Sequence, residues 1–233
     1  VKALILDNAV DHSVYNPILH WRNFLDIPFE TFRASEGQLP EDLSGFTHVI
    51  ITGSEASIMD DHVWSLNEEV VIRRSVDEGK VVLGSCYGHQ LLAKSLFGKS
   101  VVRKSETPEI GWDFLQLISH DELLGDAGSL LPVLLIHFDE VQNLPKKDVD
   151  IIATTKKCEI QNFKLKGKPV WGMQSHPEIS IPEGKSTIEK MIEKAKQEHS
   201  SRLPLFLKAR ESAPKEADWF GAFVNAFQKV TAI

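Results

Sequence analysis

In the stretch VVLGSCYGHQLLAKSLF, residues 81–97, a single cysteine stands between an apolar run of strand type and a run with helical spacing. A residue at the tip of a strand that turns sharply into a helix projects above the sheet edge and faces the free N–H groups of the helix's first turn. Those groups favour the thiolate, the form of cysteine that attacks a carbonyl carbon. Gly84 and Gly88 fit the same turn, because a tight bend packed against a neighbouring backbone leaves no room for a β-carbon. The plainer reading of Cys86 is a small apolar filler, the commonest fate of a free cysteine.

A second group of residues tips the balance toward chemistry. WGMQSHPEIS, residues 171–180, continues the apolar, strand-like PVWGM into polar residues. A thiolate nucleophile needs an imidazole to take and return a proton, and the imidazole needs a carboxylate or amide to hold its tautomer. His176 and Glu178 supply both, and Pro177 between them is expected to fix an extended segment with the two side chains side by side. Such a segment leaves its strand at the carboxyl edge of a sheet, the edge that presents Cys86. A metal site at His176 and Glu178 is the weaker alternative, since no third and fourth ligands stand at zinc-like spacing.

Short β-branched runs alternate with longer helical segments, the pattern of an α/β domain with a largely parallel sheet. KALIL, THVIIT and KVVLGS predict the first core strands; SVYNPILHWRNFL and VWSLNEEVVIRRSVDEG, the latter stopping at Gly79, predict crossover helices. Beyond the Cys86 helix the chain turns strand-rich, with KSVVRKS, WDFLQLI, PVLLIHF, DIIATT and the hairpin-like EIQNFKLKGKPVWGMQS. Mixed or antiparallel strands are expected to flank the parallel core there. PEGKSTIEKMIEKAKQEHSSR predicts a helix with Pro182 near its start. One domain over residues 1–200 is followed by a proline-broken linker and a C-terminal helix, 201–233, docked on it through aromatic residues.

Composition bounds the function. The chain has 233 residues, 42% hydrophobic and 25% charged, enough for one large core without staples. Its formal net charge of -7 argues against nucleic acid or an anionic lipid surface as a partner. No apolar run reaches the roughly 20 residues needed to cross a bilayer, and VKALILDNAVDHS reads as a first strand rather than a secretion signal. Two cysteines, Cys86 and Cys158, are too few for a disulfide framework, which points to a reducing cytoplasm.

GSCYGHQ at 84–90 together with SHPEIS at 175–180 resembles the class I glutamine amidotransferases, whose glutaminase domains carry this nucleophile elbow followed far downstream by histidine, proline and glutamate. The resemblance implies a flavodoxin-like open sheet with helices on both faces. It also implies a Cys86–His176–Glu178 triad that hydrolyses the side-chain amide of glutamine to glutamate and ammonia, with no cofactor or metal. ITGSEASIMDD at 51–61 is similar to the family's glycine loop, which gives Gly53 and the N–H of Tyr87 as the oxyanion hole. EIGWDFLQL at 109–117 and HFDEV at 137–141 resemble the subset related to GMP synthetase.

Gln90 matches the family's glutamine-binding position, and the backbone around His137 and Phe138 is implied to hold the substrate's amino acid head group. Phe138 stands where the family commonly has glycine, so a γ-glutamyl compound other than glutamine becomes a candidate substrate. For His137 and Asp139 a structural hydrogen-bonding role and a substrate contact stand level. Family members feed ammonia to a synthetase, and no room for one remains here. A separate synthetase subunit is therefore one expectation, a free-standing γ-glutamyl hydrolase or peptidase the second, and a non-catalytic module of the same fold the third.

Overall fold

A computed structural model describes residues 1–216 and 219–232; residues 217, 218 and 233 of the expected C-terminal tail lie outside the described residues. The elements run β1 (Ala3–Leu6), α1 (Pro17–Trp21), β2 (Phe29–Phe32), β3 (His48–Ile51), α2 (Val63–Asp77), β4 (Val81–Ser85), α3 (Tyr87–Phe97), β5 (Val102–Leu117) and β6 (Leu130–Val141). β7 (Val149–Thr154), β8 (Asn162–Leu165), β9 (Val170–Met173), α4 (Ile181–Gln197), α5 (Leu203–Ala209) and α6 (Trp219–Phe227) follow. No helix among the described residues is long and apolar enough to cross a membrane.

The strands form one sheet in the order β2-β1-β3-β4-β9-β8-β7-β5-β6. β2, β1, β3, β4 and β9 pair parallel, and the rest of the sheet is antiparallel. The mostly parallel core with an antiparallel flank thus matches the pattern of the strand runs.

Both faces of the parallel core are covered, and the alternation of side chains along each strand sorts them. Leu4, Leu6, Val49, Ile51 and Val82 pack with Ile72 and Val76 of α2 and with Leu91 and Leu92 of α3. Ile5, Ile50, Val81 and Leu83 face the other way, onto Trp21 of α1 and Phe220, Phe223 and Phe227 of α6. A third cluster joins α4 and α5 to Trp112 of β5, Leu134 of β6 and Tyr15.

Local expectations are corrected in several places. SVYNPILHWRNFL is not one crossover helix: only Pro17–Trp21 is helical, because Pro17 is tolerated in the first turn and not inside a helix. The preceding SVYN is loop, which brings Tyr15 inward. The edge strand FETF (β2) has no counterpart among the predicted strands. RLPLFLKAR, read as linker, contains the helix α5, which Pro204 enters within its first turn. VRKS of KSVVRKS and WDFLQL of WDFLQLI belong to a single long strand, β5, whose register against β6 shifts between Lys104 and Glu109, while Lys99–Val101 form a 3-10 turn before it.

Candidate active site

β4 and β9 are parallel neighbours, with Gly84 opposite Gly172 and Ser85 opposite Met173. Their carboxyl ends therefore open side by side, and the next residues of each strand enter one cleft. Cys86 follows β4 directly and stands as the N-cap of α3 with φ 51° and ψ -108°. Positive φ in a residue with a β-carbon is strained backbone, held here by its surroundings. The Cys86 N–H donates to the Met173 carbonyl at 2.8 Å, which pins the elbow to β9. The flanking glycines are sterically required: a β-carbon on Gly84 would strike the Gly88 carbonyl, and one on Gly88 would strike the Ile51 carbonyl of β3.

After β9 the chain does not stay extended, contrary to the expectation for Pro177. It turns, with the Ile179 N–H directed at the His176 carbonyl at 3.3 Å, as a proline after the first residue of a turn favours. The turn still brings the two side chains together: His176 Nδ1 lies 2.9 Å from Glu178 Oε1. The His176 N–H donates to the Leu134 carbonyl at 2.8 Å, fastening the turn to β6.

Cys86, His176 and Glu178 form one buried cluster, Cys86 being 4% exposed and Glu178 fully buried. Burial alone would lower the pKa of His176, but the nearby Cys86 sulfur and the Glu178 carboxylate bonded to its Nδ1 together hold it well above its ordinary value. Burial works to raise Glu178, and the His176 ring and the Tyr15 hydroxyl overcome it, leaving that carboxyl below its ordinary range. The surroundings thus favour an imidazolium beside the Glu178 carboxylate. Gly53 abuts the cluster: a β-carbon there would lie 2.7 Å from His176 Cε1 and 3.4 Å from Cys86 Cβ. Tyr87 is the first residue of α3, so its N–H has no acceptor within the helix.

A cavity of about 480 Å³ opens over the sulfur and is lined in part by Cys86, His176, Tyr87, Gln90, His137 and Phe138. Gln90 is fixed by its amide, Nε2 donating to the Asp139 carbonyl at 2.8 Å and to Gln174 Oε1 at 3.1 Å. His137 reaches the lining, but both of its ring nitrogens have protein partners, the Asp139 carbonyl at 3.0 Å and Glu109 Oε2 at 3.2 Å. Asp139 accepts from Ser57 Oγ at 2.5 Å and from the Ile58 N–H at 3.1 Å, tying the loop after Gly53 to β6. Among the described residues no group of three or more His, Cys, Asp or Glu side chains is placed to hold a metal ion.

Two supporting residues escaped the sequence reading. Tyr15 donates its hydroxyl to Glu178 Oε1 at 2.7 Å and meets the His176 ring edge-on at 5.3 Å. Ser85 donates to Glu178 Oε2 at 3.2 Å. For Tyr15 the available signal was Asn16-Pro17, which breaks any helix before it and frees a loop to turn inward. Ser85 carried a weaker one, its place beside the cysteine of the elbow.

A family model described as glutamine amidotransferase class-I matches residues 4–195. The glutamine-hydrolysing GMP synthase subunit from Methanothermobacter thermautotrophicus is 37% identical over 98 residues, 42% of this chain and 51% of that protein. Gamma-glutamyl peptidase 4 of Arabidopsis thaliana is 29% identical over 159 residues, 65% of this chain and 62% of that protein. The matched stretches thus span about half of the archaeal protein and under two thirds of the plant peptidase. The crystal structure of a glutamine amidotransferase from Thermotoga maritima superimposes with a TM-score of 0.76 at 21% identity, covering 99% of both chains. At that identity the likeness speaks for the fold.

Proposed function

We propose, for a chain that belongs to the class I glutamine amidotransferase family, that it hydrolyses the side-chain amide of glutamine through a γ-glutamyl thioester on Cys86. The observation that carries this reading is the His176 ring, bonded through Nδ1 to Glu178 at 2.9 Å and lining with Cys86 the cavity beside Gly53. The Cys86 thiolate attacks the γ-carbonyl, and the oxyanion rests on the N–H groups of Gly53 and Tyr87, donors worth roughly 3 kcal/mol each in comparable sites. As the C–N bond breaks, His176 gives its proton to the departing nitrogen, and ammonia leaves. Water then attacks the thioester, its proton passes to His176, and cleavage of the C–S bond releases glutamate and restores the thiolate. Glu178 holds the imidazole in place and balances its charge throughout.

A second reading, a free-standing γ-glutamyl peptidase with the same chemistry, is favoured by Phe138 and by the breadth of the cavity over the sulfur. The two part on nitrogen: a glutaminase subunit releases ammonia from glutamine only beside a synthetase partner, whereas a peptidase turns over γ-glutamyl amides by itself. A panel of glutamine and γ-glutamyl amides, assayed with the purified chain alone and with a synthetase partner, separates them.

Thiol labelling tests the nucleophile independently of any partner. Cys158 is buried, and burial first, then Glu140 and Glu109, push its pKa to about 12. A glutamine-mimicking electrophile near neutral pH is expected to alkylate Cys86 at least about 100-fold faster than Cys158. Equal, slow rates at the two thiols would remove the enzymatic reading.

Tyr15→Phe tests the support of the triad. The lost hydrogen bond to a carboxylate, about 1.5 kcal/mol, predicts a fall in kcat of roughly 10-fold. Because the Tyr15 hydroxyl helps to lower the Glu178 pKa, its removal raises that pKa, and the acid limb of the pH–rate profile moves to higher pH. A variant with lower kcat and an unmoved limb would show that the ring only fills space.

A further inference from the structure

The family match ends at residue 195, yet Glu198, Ser200, Arg202 and Phe206 all line the cavity over Cys86. One wall of the site is therefore built outside the stretch that the family model matches. Its centre is Arg202, whose guanidinium carbon lies 4.0 Å from the centroid of the Phe138 ring. Phe206 meets the same ring edge-on, with 6.4 Å between centroids and 81° between planes. A guanidinium held over an aromatic ring keeps its N–H groups for other partners, and its fork can grip a carboxylate with two parallel bonds.

The remaining charges on the lining leave that edge available. Among the described residues, Arg202 forms hydrogen bonds through its backbone only. Lys104 lies opposite Asp139 in the β5–β6 ladder and also lines the cavity, with no ion pair among the described residues. Lys194, a third base on the lining, is engaged by Asp11 at 3.0 Å. Of the acids, Asp139 is held by Ser57 and Ile58, Glu55 accepts the Val10 N–H at 3.0 Å, and Glu198 stands exposed. Two uncommitted bases, Arg202 and Lys104, thus share the lining with Phe138.

Resting on the reading that Cys86 forms a γ-glutamyl thioester, we propose that Arg202, seated on Phe138, forms with Lys104 an anion subsite that binds a carboxylate of the substrate. The aromatic side chain at 138 then has a role that glycine could not fill, since it is the platform for the guanidinium. The carboxylate has two possible sources, the α-carboxylate of the γ-glutamyl group and one carried by the departing amine.

Three substrates distinguish them: γ-glutamyl methylamide, with only the α-carboxylate; γ-glutamylglycine, with both; and the α-amide of γ-glutamylglycine, with only the second. Arg202→Ala is expected to lower kcat/KM roughly 10- to 100-fold, mainly through KM, on substrates whose carboxylate it holds. Loss on the first two and not the third assigns the α-carboxylate; loss on the last two and not the first assigns the departing amine. Phe138→Leu is expected to shift kcat/KM in the same direction, and the double variant to lose less than the two single losses combined, because the guanidinium depends on the ring. Arg202→Lys restores only part, lacking the planar fork. Unchanged kcat/KM on all three substrates in Arg202→Ala overturns the subsite and leaves the thioester reading standing. Absence of turnover on all three by the unmodified chain, with no alkylation of Cys86, overturns the reading beneath it.

Discussion

Cys86→Ser is expected to lower kcat on any γ-glutamyl substrate by roughly 10⁴- to 10⁶-fold, the scale of losing a nucleophile that works as a unit with its base. The substitution removes little else. The thiol is nearly enclosed and faces the Ile136 carbonyl at 3.6 Å, and a hydroxyl of similar size donates to the same acceptor. Unfolding free energy should change by no more than about 1 kcal/mol. Cys158→Ser provides the contrast, since Cys158 lies outside the lining of the cavity over Cys86 and its loss should leave kcat intact. Steady-state turnover and thermal unfolding of both variants decide the matter, and turnover retained in Cys86→Ser would place the nucleophile elsewhere.

Gly88→Ala carries the largest expected cost in stability. The added β-carbon has no flexible side chain to push aside, because the obstacle is the Ile51 carbonyl at the end of β3, with Ile51 Cβ 3.0 Å away. Relief requires α3 to lift off the sheet, at a cost of about 3 kcal/mol or more. For a chain of this size that corresponds to a drop in Tm of roughly 6–12 °C. Lifting α3 also draws the Tyr87 N–H away from Gly53, so the surviving folded fraction should lose activity as well. Gly45→Ala is the control, since nothing stands within 4 Å of its added carbon. Equal melting temperatures for the two variants would contradict the close approach of elbow and strand.

The elbow was legible because sterics leave few residue types able to occupy it: Gly84 and Gly88 are forced by backbone contacts within one turn of Cys86. His176 and Glu178 were legible for a related reason, being two residues apart on a segment that leaves an apolar strand. What surrounds them depends on contacts distant in sequence, and local pattern carries no trace of those. Tyr15 reaches Glu178 across 163 residues, and Arg202 meets Phe138 only because α5 folds back over β6. α5 itself was hidden by Pro204, which reads as a breaker until its place in the first turn is known. The short strand β2, with only partly buried ends, has too little apolar alternation to register.

The position of β9 has a consequence for how the molecule comes into being. It is the last of the described strands, yet it lies in the middle of the sheet between β4 and β8. While the polypeptide emerges from the ribosome, β4 must wait with one side open until residues 170–173 arrive, an unpaired edge exposed to other nascent chains. The same arrival delivers His176. On the proposed mechanism Cys86 meets its base only when β9 is inserted, so completion of the sheet and assembly of the candidate site coincide.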